Sequence, residues 1–292
     1  MIKLNGVFTA LITPFKNNEL DLASLRALVR RQLDAGVHGF VPLGSTGEAA
    51  TLTHDERARI IETVMDETKG KVPVIVGAGT NATTSSIENV RQAKALGADA
   101  AMLVTPYYNK PTDDGLFAHY KAVREAVDLP LLVYNVPGRT GMNLSVQCAK
   151  RLASIDGIIG IKEASGNVVQ GMEIIETTSE RWSLLSGEDM LFLPLLSVGA
   201  TGIICTASNV IPKAYVNVYD CFKAGKLEEA ATVQRSLLGL NRELFRVANP
   251  IPVKAAAALL GFCQNELRLP LFPLTGSGLD GLRQELSNLK LL

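Results

Sequence analysis

One structural unit recurs along this 292-residue chain. Each copy has a short apolar run rich in β-branched residues, then polar residues, then an amphipathic stretch with helical spacing, which is typical of parallel strands covered by helices. The predicted strands are residues 7–12, 39–43, 72–76, 100–104, 131–134, 158–161, 183–185 and 202–205. Eight such units without an obvious switch point favour a closed α/β fold, a (β/α)₈ TIM barrel. The alternative is an open doubly wound sheet.

More helix follows the eighth predicted strand than one unit requires. The helical stretches are residues 214–222, 227–245, 252–260 and 278–291. We therefore predict two parts. Residues 1–224 form the barrel catalytic domain, and residues 225–292 form a C-terminal helical extension packed on the barrel.

The composition argues against several classes of partner. Lys and Arg together number 29, and so do Asp and Glu, so no net charge attracts nucleic acid or an anionic membrane. No window approaches about 18 uninterrupted apolar residues, so we expect no membrane-spanning helix. The amino terminus lacks the pattern of a secretory signal, which favours a cytoplasmic location. Four widely spaced cysteines without a C-x-x-C pair are predicted to be buried free thiols: Cys148, Cys205, Cys221 and Cys263.

Signals for a cofactor or a metal are weak. Residues 77–82 read G-x-G-x-x-A after a strand, but the next predicted strand ends without an acidic residue to hold a ribose. His38, His54 and His119 are isolated, and none has a carboxylate at ligand spacing. We therefore expect neither a dinucleotide nor a metal.

Lys162 carries the most chemical information. In a (β/α)₈ barrel the residues that follow each strand converge on one face, and Lys162 directly follows the apolar residues 157–161. An ammonium would be poorly hydrated there, whereas a neutral amine can attack a ketone and form an iminium that makes the adjacent carbon acidic. This is aldolase chemistry. The alternative is a structural lysine paired with a carboxylate, which is the role we predict for Lys254 beyond the barrel.

Other polar residues at strand ends fit the same chemistry. Tyr134 ends the strand next to that of Lys162, and its phenol could move protons during imine formation, with Ser45 and a tyrosine of residues 107–108 extending the hydroxyl chain. The glycine-bounded turn 44–48 could dock a small carboxylate, and Arg139 could clamp a second one. The alternatives are a tyrosine at the edge of the core, an ordinary turn and a surface arginine.

Four motifs carry a family resemblance. They are GSTGE at 44–48, TPYYN at 105–109, YNVPGRTG at 134–141 and GIKEA at 160–164. Together they resemble the dihydrodipicolinate synthase family of pyruvate-dependent class I aldolases. The resemblance implies that pyruvate forms an imine with Lys162 without any other cofactor, and that the enamine attacks L-aspartate 4-semialdehyde. The adduct then closes to 4-hydroxy-tetrahydrodipicolinate, in lysine biosynthesis through diaminopimelate.

The resemblance also implies roles for individual residues. Tyr134, Ser45 and Tyr108 would form the proton relay, with Tyr108 supplied by a neighbouring subunit of a homotetramer built as a dimer of dimers. The remaining contacts would come from Thr46 to the pyruvate carboxylate, from Arg139 to the aldehyde's carboxylate, and from Gly187 and the backbone of Ile204 to the pocket.

Two other functions stay open at this stage. Sugar-acid and N-acetylneuraminate aldolases share the lysine, the tyrosine and the glycine-rich turn, and Arg139 is the residue that favours the synthase. A catalytically silent barrel that binds a keto acid is the other alternative, although a pure binder has no need of a desolvated amine.

A possible allosteric lysine site is weakly indicated by the same resemblance. His54, Asn81 and Tyr107 match the lysine-sensitive pattern of the family, but Ala49, Arg57 and Ser85 replace its serine, histidine and glutamate. We therefore predict weak or absent feedback inhibition by lysine. Ser45 also departs from the family, which often has threonine there; it keeps the hydroxyl but loses the methyl that restricts its rotamer.

Overall fold

A barrel of parallel strands forms the centre of the molecule, as a computed structural model of residues 2, 4–178 and 182–292 shows. Within these residues its strands are β1 (Gly6–Ala10), β2 (Gly39–Val41), β3 (Ile75–Gly77), β4 (Ala100–Val104), β5 (Leu131–Asn135), β6 (Ile158–Glu163), β7 (Ser183–Ser186) and β8 (Gly202–Cys205). They lie in the order β2-β1-β8-β7-β6-β5-β4-β3, and a parallel bridge between Phe40 and Val74 joins the two ends. The predicted (β/α)₈ barrel is confirmed.

The strand bounds differ from the prediction mainly at their ends. β5 continues to Asn135 and β6 to Glu163, so Lys162 lies inside its strand rather than after it. β3 begins only at Ile75, because Pro73 cannot donate a backbone hydrogen bond and Val74 contributes just the bridge to Phe40.

Helices surround the barrel and continue beyond it. In the described residues they are α1 (Leu22–Asp34), α2 (His54–Thr68), α3 (Thr83–Ala95), α4 (Asp113–Ala126), α5 (Pro137–Thr140), α6 (Val146–Ala153), α7 (Val168–Thr177), α8 (Phe192–Ser197), α9 (Pro212–Lys223), α10 (Leu227–Ser236), α11 (Leu238–Leu244), α12 (Ile251–Leu259) and α13 (Ser277–Asn288). The proposed boundary after residue 224 lies in the turn between α9 and α10.

The single helix predicted over residues 227–245 is wrong, because the chain forms α10 and α11 with a break at Leu237. The two helices have different partners: α10 packs on α9, whereas α11 packs on α12 and α13. Gly239 permits the close approach of α11 to α13, since a Cβ there would collide with the carboxylate of Glu285. A straight helix could not satisfy both contacts.

Apolar side chains fill the barrel interior beneath its open end. One buried cluster is built from inward-facing residues of the strands, among them Phe8, Val41, Met102, Leu132 and Ile204. A larger cluster lies between the strands and the surrounding helices. The interior is therefore a packed core, and polar chemistry is confined to the carboxyl ends of the strands.

A buried ion pair ties the C-terminal extension to the barrel. Lys254 Nζ on α12 lies 2.5 Å from Glu48 Oε1, and both side chains are almost completely buried. The backbone N–H of Arg268 donates to Glu48 Oε2 at 3.1 Å, and Lys254 Nζ lies 4.0 Å from the centroid of the Phe15 ring. Desolvation lowers the pKa of Lys254, while the charge of Glu48 opposes that shift. These contacts agree with the structural role that the sequence predicted for Lys254.

Two further predictions can be compared with the structure. The four cysteines are free thiols, but only Cys148 and Cys205 are buried; Cys221 and Cys263 are partly exposed, so the prediction of burial is wrong for these two. Cys221 lies near the end of α9, and Cys263 lies in the segment that follows α12. Among the described residues, no helix has the length and apolar character needed to cross a membrane.

Candidate active site

A cavity of about 580 Å³ opens at the carboxyl ends of the strands. Six of the residues singled out in the sequence lie in its wall: Ser45, Thr46, Tyr134, Arg139, Lys162 and Gly187. They come from four different βα units and from parts of the sequence more than 140 positions apart. The fold therefore assembles most of the predicted site.

Lys162 and Tyr134 lie side by side on neighbouring strands. The register of β5 and β6 pairs the two residues directly, and Lys162 Nζ lies 4.4 Å from the centroid of the Tyr134 ring. Each residue is only 6% exposed. Within the described residues, no carboxylate oxygen lies within 4.0 Å of Nζ. A structural ion pair therefore does not account for Lys162.

The carboxylate next to Lys162 in sequence is held elsewhere. Glu163 Oε2 accepts a hydrogen bond from Asn135 Nδ2 at 3.0 Å, and Glu163 Oε1 accepts one from the backbone N–H of Ser165 at 2.7 Å. Because successive side chains of a strand point to opposite faces, Glu163 faces away from the lysine. The two charges are kept apart by the pleat of β6.

Gly187 allows β7 to approach Lys162 closely. A Cβ at this position would lie 2.6 Å from Ala164 Cβ and 3.1 Å from Lys162 Cε. The backbone N–H of Gly187 also donates to Glu163 O at 2.7 Å, which fixes the approach. Any side chain here would displace the lysine or narrow the cavity.

The turn that carries Ser45 and Thr46 is anchored at both ends. Thr13 donates a hydrogen bond from Oγ1 to Gly47 O at 2.7 Å, and Glu48 forms the ion pair with Lys254. Thr46 is 4% exposed, and its Oγ1 accepts a hydrogen bond from Asn249 Nδ2 at 2.8 Å. The turn is thus preorganised before any ligand arrives.

Arg139 enters the cavity from α5, the single turn of helix that follows β5. One guanidinium nitrogen, Nη2, donates to Asn249 O at 2.8 Å. Asn249 therefore contacts both Thr46 and Arg139. Residues 245–249 line the cavity as well, although sequence reasoning assigned them no role at the site. The motif NPIPVK, which begins at Asn249, was the signal that could have pointed to them.

Glu188 is a second lining residue without a predicted role. Among the described residues that line the cavity, Glu188 is the single acidic residue. Three basic residues line it as well: Lys162, Arg139 and Arg246. Burial raises the pKa of Glu188, and the neighbouring charge of Asp189 adds to the shift, whereas Lys162 and Arg139 oppose it. Asp189 itself points away and accepts hydrogen bonds from the backbone N–H groups of Thr206 and Ala207.

Two predicted contact residues do not line the cavity. Tyr108 is 89% exposed and has a left-handed backbone with φ of 69°, a conformation that few residues other than glycine adopt. Ile204 is fully buried in the barrel interior, and only its backbone was expected to take part. In the parts of the chain that the structure describes, no group of three or more His, Cys, Asp or Glu side chains is placed to hold a metal ion.

The residues of the possible lysine site lie around α2, α3 and residue 107. Arg57 is largely buried and donates from Nη2 to Gly77 O at 2.9 Å, and desolvation lowers its pKa. Tyr107 is 39% exposed, and His54 is exposed at the start of α2. Ala49, Asn81 and Ser85 are partly buried. None of these six residues carries a carboxylate.

The fold and the cavity define a barrel enzyme of the carbon–carbon lyase class with a lysine in its sixth strand. The chain matches the model of the dihydrodipicolinate synthetase family over residues 3–289. It is 46% identical over 269 residues to the 4-hydroxy-tetrahydrodipicolinate synthase of Pelobacter propionicus, a match that covers 92% of this chain and 93% of the relative. The chain belongs to the dihydrodipicolinate synthetase family.

Two crystal structures of this family show the same architecture. The dihydrodipicolinate synthase from Thermotoga maritima superposes with a TM-score of 0.97 at 45% identity, covering 99% of each chain. The chloride-inhibited dihydrodipicolinate synthase from Acinetobacter baumannii, complexed with pyruvate, superposes with a TM-score of 0.97 at 41% identity. That match covers 99% of this chain and all of the other.

Proposed function

We propose that this protein condenses pyruvate with L-aspartate 4-semialdehyde to give 4-hydroxy-tetrahydrodipicolinate, an early step of lysine biosynthesis through diaminopimelate. The proposal rests on the surroundings of Lys162 Nζ. This atom lies beside Tyr134 in a cavity that also contains Arg139, and it has no carboxylate partner among the described residues. The names of the relatives and the pyruvate in the Acinetobacter baumannii structure support it. No metal or organic cofactor enters the proposed reaction.

The first half of the reaction joins pyruvate to the enzyme. The amine of Lys162 attacks the keto carbon, and the Tyr134 hydroxyl exchanges protons with the carbinolamine oxygen until water leaves. Thr46 and the backbone N–H groups of its turn hold the pyruvate carboxylate. The Tyr134 oxygen, which gave its proton to the departing water, then takes a methyl proton from the iminium, and the resulting enamine is the nucleophile of the second half.

The second half uses the aldehyde. Arg139 binds its carboxylate, and the enamine carbon attacks the aldehyde carbon to form a new carbon–carbon bond. The aldehyde oxygen takes a proton from the Tyr134 hydroxyl, and the enamine nitrogen lone pair restores the iminium on Lys162. The proposed proton relay is Tyr134, Ser45 and a Tyr108 from a second copy of the chain. Gly187 and the backbone of Ile204 complete the pocket. An exposed Tyr108 in a strained backbone conformation is suited to insertion into a neighbouring subunit.

The assembly and location that we propose follow from this reaction. A relay completed by Tyr108 of a second copy requires at least a dimer, and we propose a homotetramer of paired dimers in the cytoplasm. The partners of each subunit would be two small substrates and its neighbouring subunits, with neither nucleic acid nor membrane involved.

A direct assay separates this function from its main alternative. Purified protein is supplied with pyruvate and either L-aspartate 4-semialdehyde or a sugar aldehyde, and carbon–carbon bond formation is followed for each. We expect condensation with the amino aldehyde. Turnover of the sugar aldehyde alone would favour a pyruvate-dependent sugar-acid or N-acetylneuraminate aldolase.

Replacement of Arg139 by alanine is expected to separate the two substrates. Removal of one partner of a bound charge pair costs at least about 2 kcal/mol, so kcat/KM for aspartate semialdehyde should fall about 30-fold or more. Borohydride trapping of the pyruvate imine should persist, because Arg139 takes no part in that step. Arg139→Lys keeps the charge but not the two-pronged geometry, and an intermediate loss is expected. Equal loss of imine formation and condensation would show that Arg139 has been given the wrong role.

Lysine should inhibit this protein weakly or not at all. The six residues of the possible allosteric site offer a guanidinium at Arg57 and no carboxylate, so neither ammonium of a lysine ligand finds an anionic partner among them. Steady-state rates with lysine added up to millimolar concentration are the measurement. Inhibition in the micromolar range would contradict the prediction.

A further inference from the structure

Glu188 is the acidic side chain in the wall of the cavity, within the described residues, and nothing in the protein pairs with it there. Glu188 lies in the wall with Lys162, Arg139 and Arg246, yet it forms no ion pair and its carboxylate accepts no hydrogen bond within the described residues. Its side chain is half-buried and lines the open cavity instead of contacting a partner in the described part of the protein. Such a group in a binding cavity is suited to a cation that arrives with the ligand.

The position of Glu188 is fixed on both sides. Gly187, the residue before it, donates to Glu163 O and lies so near Lys162 that a Cβ there would be 3.1 Å from Lys162 Cε. Asp189, the residue after it, is held by the backbone N–H groups of Thr206 and Ala207. The Glu188 N–H donates to Ser186 Oγ at 3.2 Å, while the Ser186 hydroxyl donates to Glu188 O at 2.8 Å. These contacts within the protein hold the backbone of residue 188 in place, and the side chain of Glu188 lines the cavity.

The functional groups of the two proposed substrates indicate which cation would pair with Glu188. Pyruvate brings a carboxylate and a ketone, which are met by the turn at Thr46 and by Lys162. The amino aldehyde brings a carboxylate for Arg139 and an aldehyde for the enamine, and its α-ammonium remains. Among the described residues that line the cavity, only Glu188 carries the charge to bind it.

We propose that Glu188 binds the α-ammonium of the amino aldehyde and accepts the proton that this ammonium must lose before the ring can close. The inference rests on the proposed function and names a binding and proton-accepting group for its second substrate. It predicts selectivity for amino aldehydes over aldehydes that carry hydrogen or hydroxyl at the same carbon.

The proton transfer balances without any other reactant. After the carbon–carbon bond has formed, an N–H bond of the ammonium breaks and an O–H bond forms on Glu188. The freed nitrogen lone pair attacks the iminium carbon, and the iminium π electrons move to the Lys162 nitrogen. A proton then passes from the ring nitrogen to the Lys162 nitrogen, the bond between Lys162 and carbon breaks, and a protonated cyclic imine leaves. Glu188 returns its proton to solvent.

The acidity of Glu188 suits this task. Burial raises its pKa, and a carboxylate of higher pKa is a stronger base towards an ammonium. Asp189 cannot replace it, because its oxygens already accept two backbone N–H groups. Glu163 is likewise occupied on the other face of β6.

The test compares two variants and two aldehydes. Glu188→Gln keeps the shape but removes the charge, and Glu228→Gln makes the same change at an exposed glutamate on α10. The aldehydes are L-aspartate 4-semialdehyde and succinic semialdehyde, which lacks the amino group and is tested as a competitive inhibitor. In Glu188→Gln, kcat/KM for the amino aldehyde should fall about 30-fold or more. Inhibition by succinic semialdehyde, the KM for pyruvate and borohydride trapping should all stay at wild-type values, as should every parameter of Glu228→Gln.

Each outcome bears on the proposal. Equal weakening of both aldehydes, or wild-type kinetics, would overturn the role of Glu188 while leaving the proposed function intact. Absence of condensation in the wild-type protein would overturn both. If Glu188→Gln does not fold, as judged by imine trapping, Glu188→Asp provides the second test. This variant shortens the side chain by one methylene and draws the carboxylate back from the ligand. It must still reduce the preference for L-aspartate 4-semialdehyde over succinic semialdehyde. An unchanged preference in Glu188→Asp would overturn the proposal.

Discussion

Replacement of Lys162 by alanine is expected to abolish condensation while leaving the fold intact. Removal of the nucleophile of a covalent mechanism costs on the order of 10⁴-fold or more in kcat. Because Lys162 lines an open cavity and forms no ion pair among the described residues, the melting temperature of the variant should stay close to that of the wild type. The measurements are steady-state turnover, thermal unfolding, and borohydride reduction with pyruvate followed by peptide mass spectrometry.

The labelling pattern makes this test specific. Wild-type protein should gain the pyruvate adduct on the peptide that contains Lys162 and nowhere else. Lys94→Ala removes an exposed lysine from the last turn of α3 and should leave both labelling and turnover unchanged. An adduct on another lysine, or turnover that survives Lys162→Ala, would refute the Schiff-base mechanism on this residue.

Replacement of Lys254 by methionine is expected to be the most destabilising single change considered. It leaves Glu48 buried without its cation, and breaking a buried ion pair in this way costs about 3–5 kcal/mol. Contact with the Phe15 ring is altered as well. Thermal unfolding should report a melting temperature lower by roughly 10 °C. Turnover should fall too, because Glu48 belongs to the turn that positions Ser45 and Thr46.

A surface pair supplies the matched control. Lys226 pairs with Glu229 at 3.2 Å with more than half of each side chain exposed, and Lys226→Met should cost no more than about 1 kcal/mol. In the double variant Glu48→Gln/Lys254→Met no charge is left buried, so part of the lost stability should return. Similar small shifts for Lys254→Met and Lys226→Met would show that the buried pair contributes little.

The periodic parts of the fold could be predicted from the sequence. Strand runs such as residues 100–104 and 202–205 coincide with the observed strands, because a strand buried on both faces is apolar throughout. The carboxyl end of β6 was placed too early, since a charged residue normally ends such a run. Here Lys162 continues the strand because the cavity accommodates its amine. The break at Leu237 could not be predicted, because it depends on which helices α10 and α11 contact.

Some residues of the candidate site could likewise be predicted from the sequence, and others could not. Residues at strand ends, such as Tyr134 and Lys162, were identified because barrel topology alone brings them together. Asn249 was not, since its contacts with Thr46 and Arg139 join positions more than 100 residues apart outside the repeating units. The sequence placed Glu188 at a strand end but assigned it no role, because an acidic residue in that position has the same sequence pattern whether or not it has a partner.

The contacts of Asn249 have a consequence for how such enzymes diverge. The lysine belongs to the repeating barrel, whereas the wall that holds Arg139 in place is supplied by a carbonyl from the C-terminal extension. Asn249 also donates to Thr46 Oγ1, so the extension supports both the turn proposed to bind pyruvate and the arginine proposed to bind the aldehyde. A substitution in the extension that shifts Asn249 is therefore expected to disturb the binding of both substrates at once. The C-terminal segment and the barrel wall are therefore expected to change together when such an enzyme takes a new acceptor.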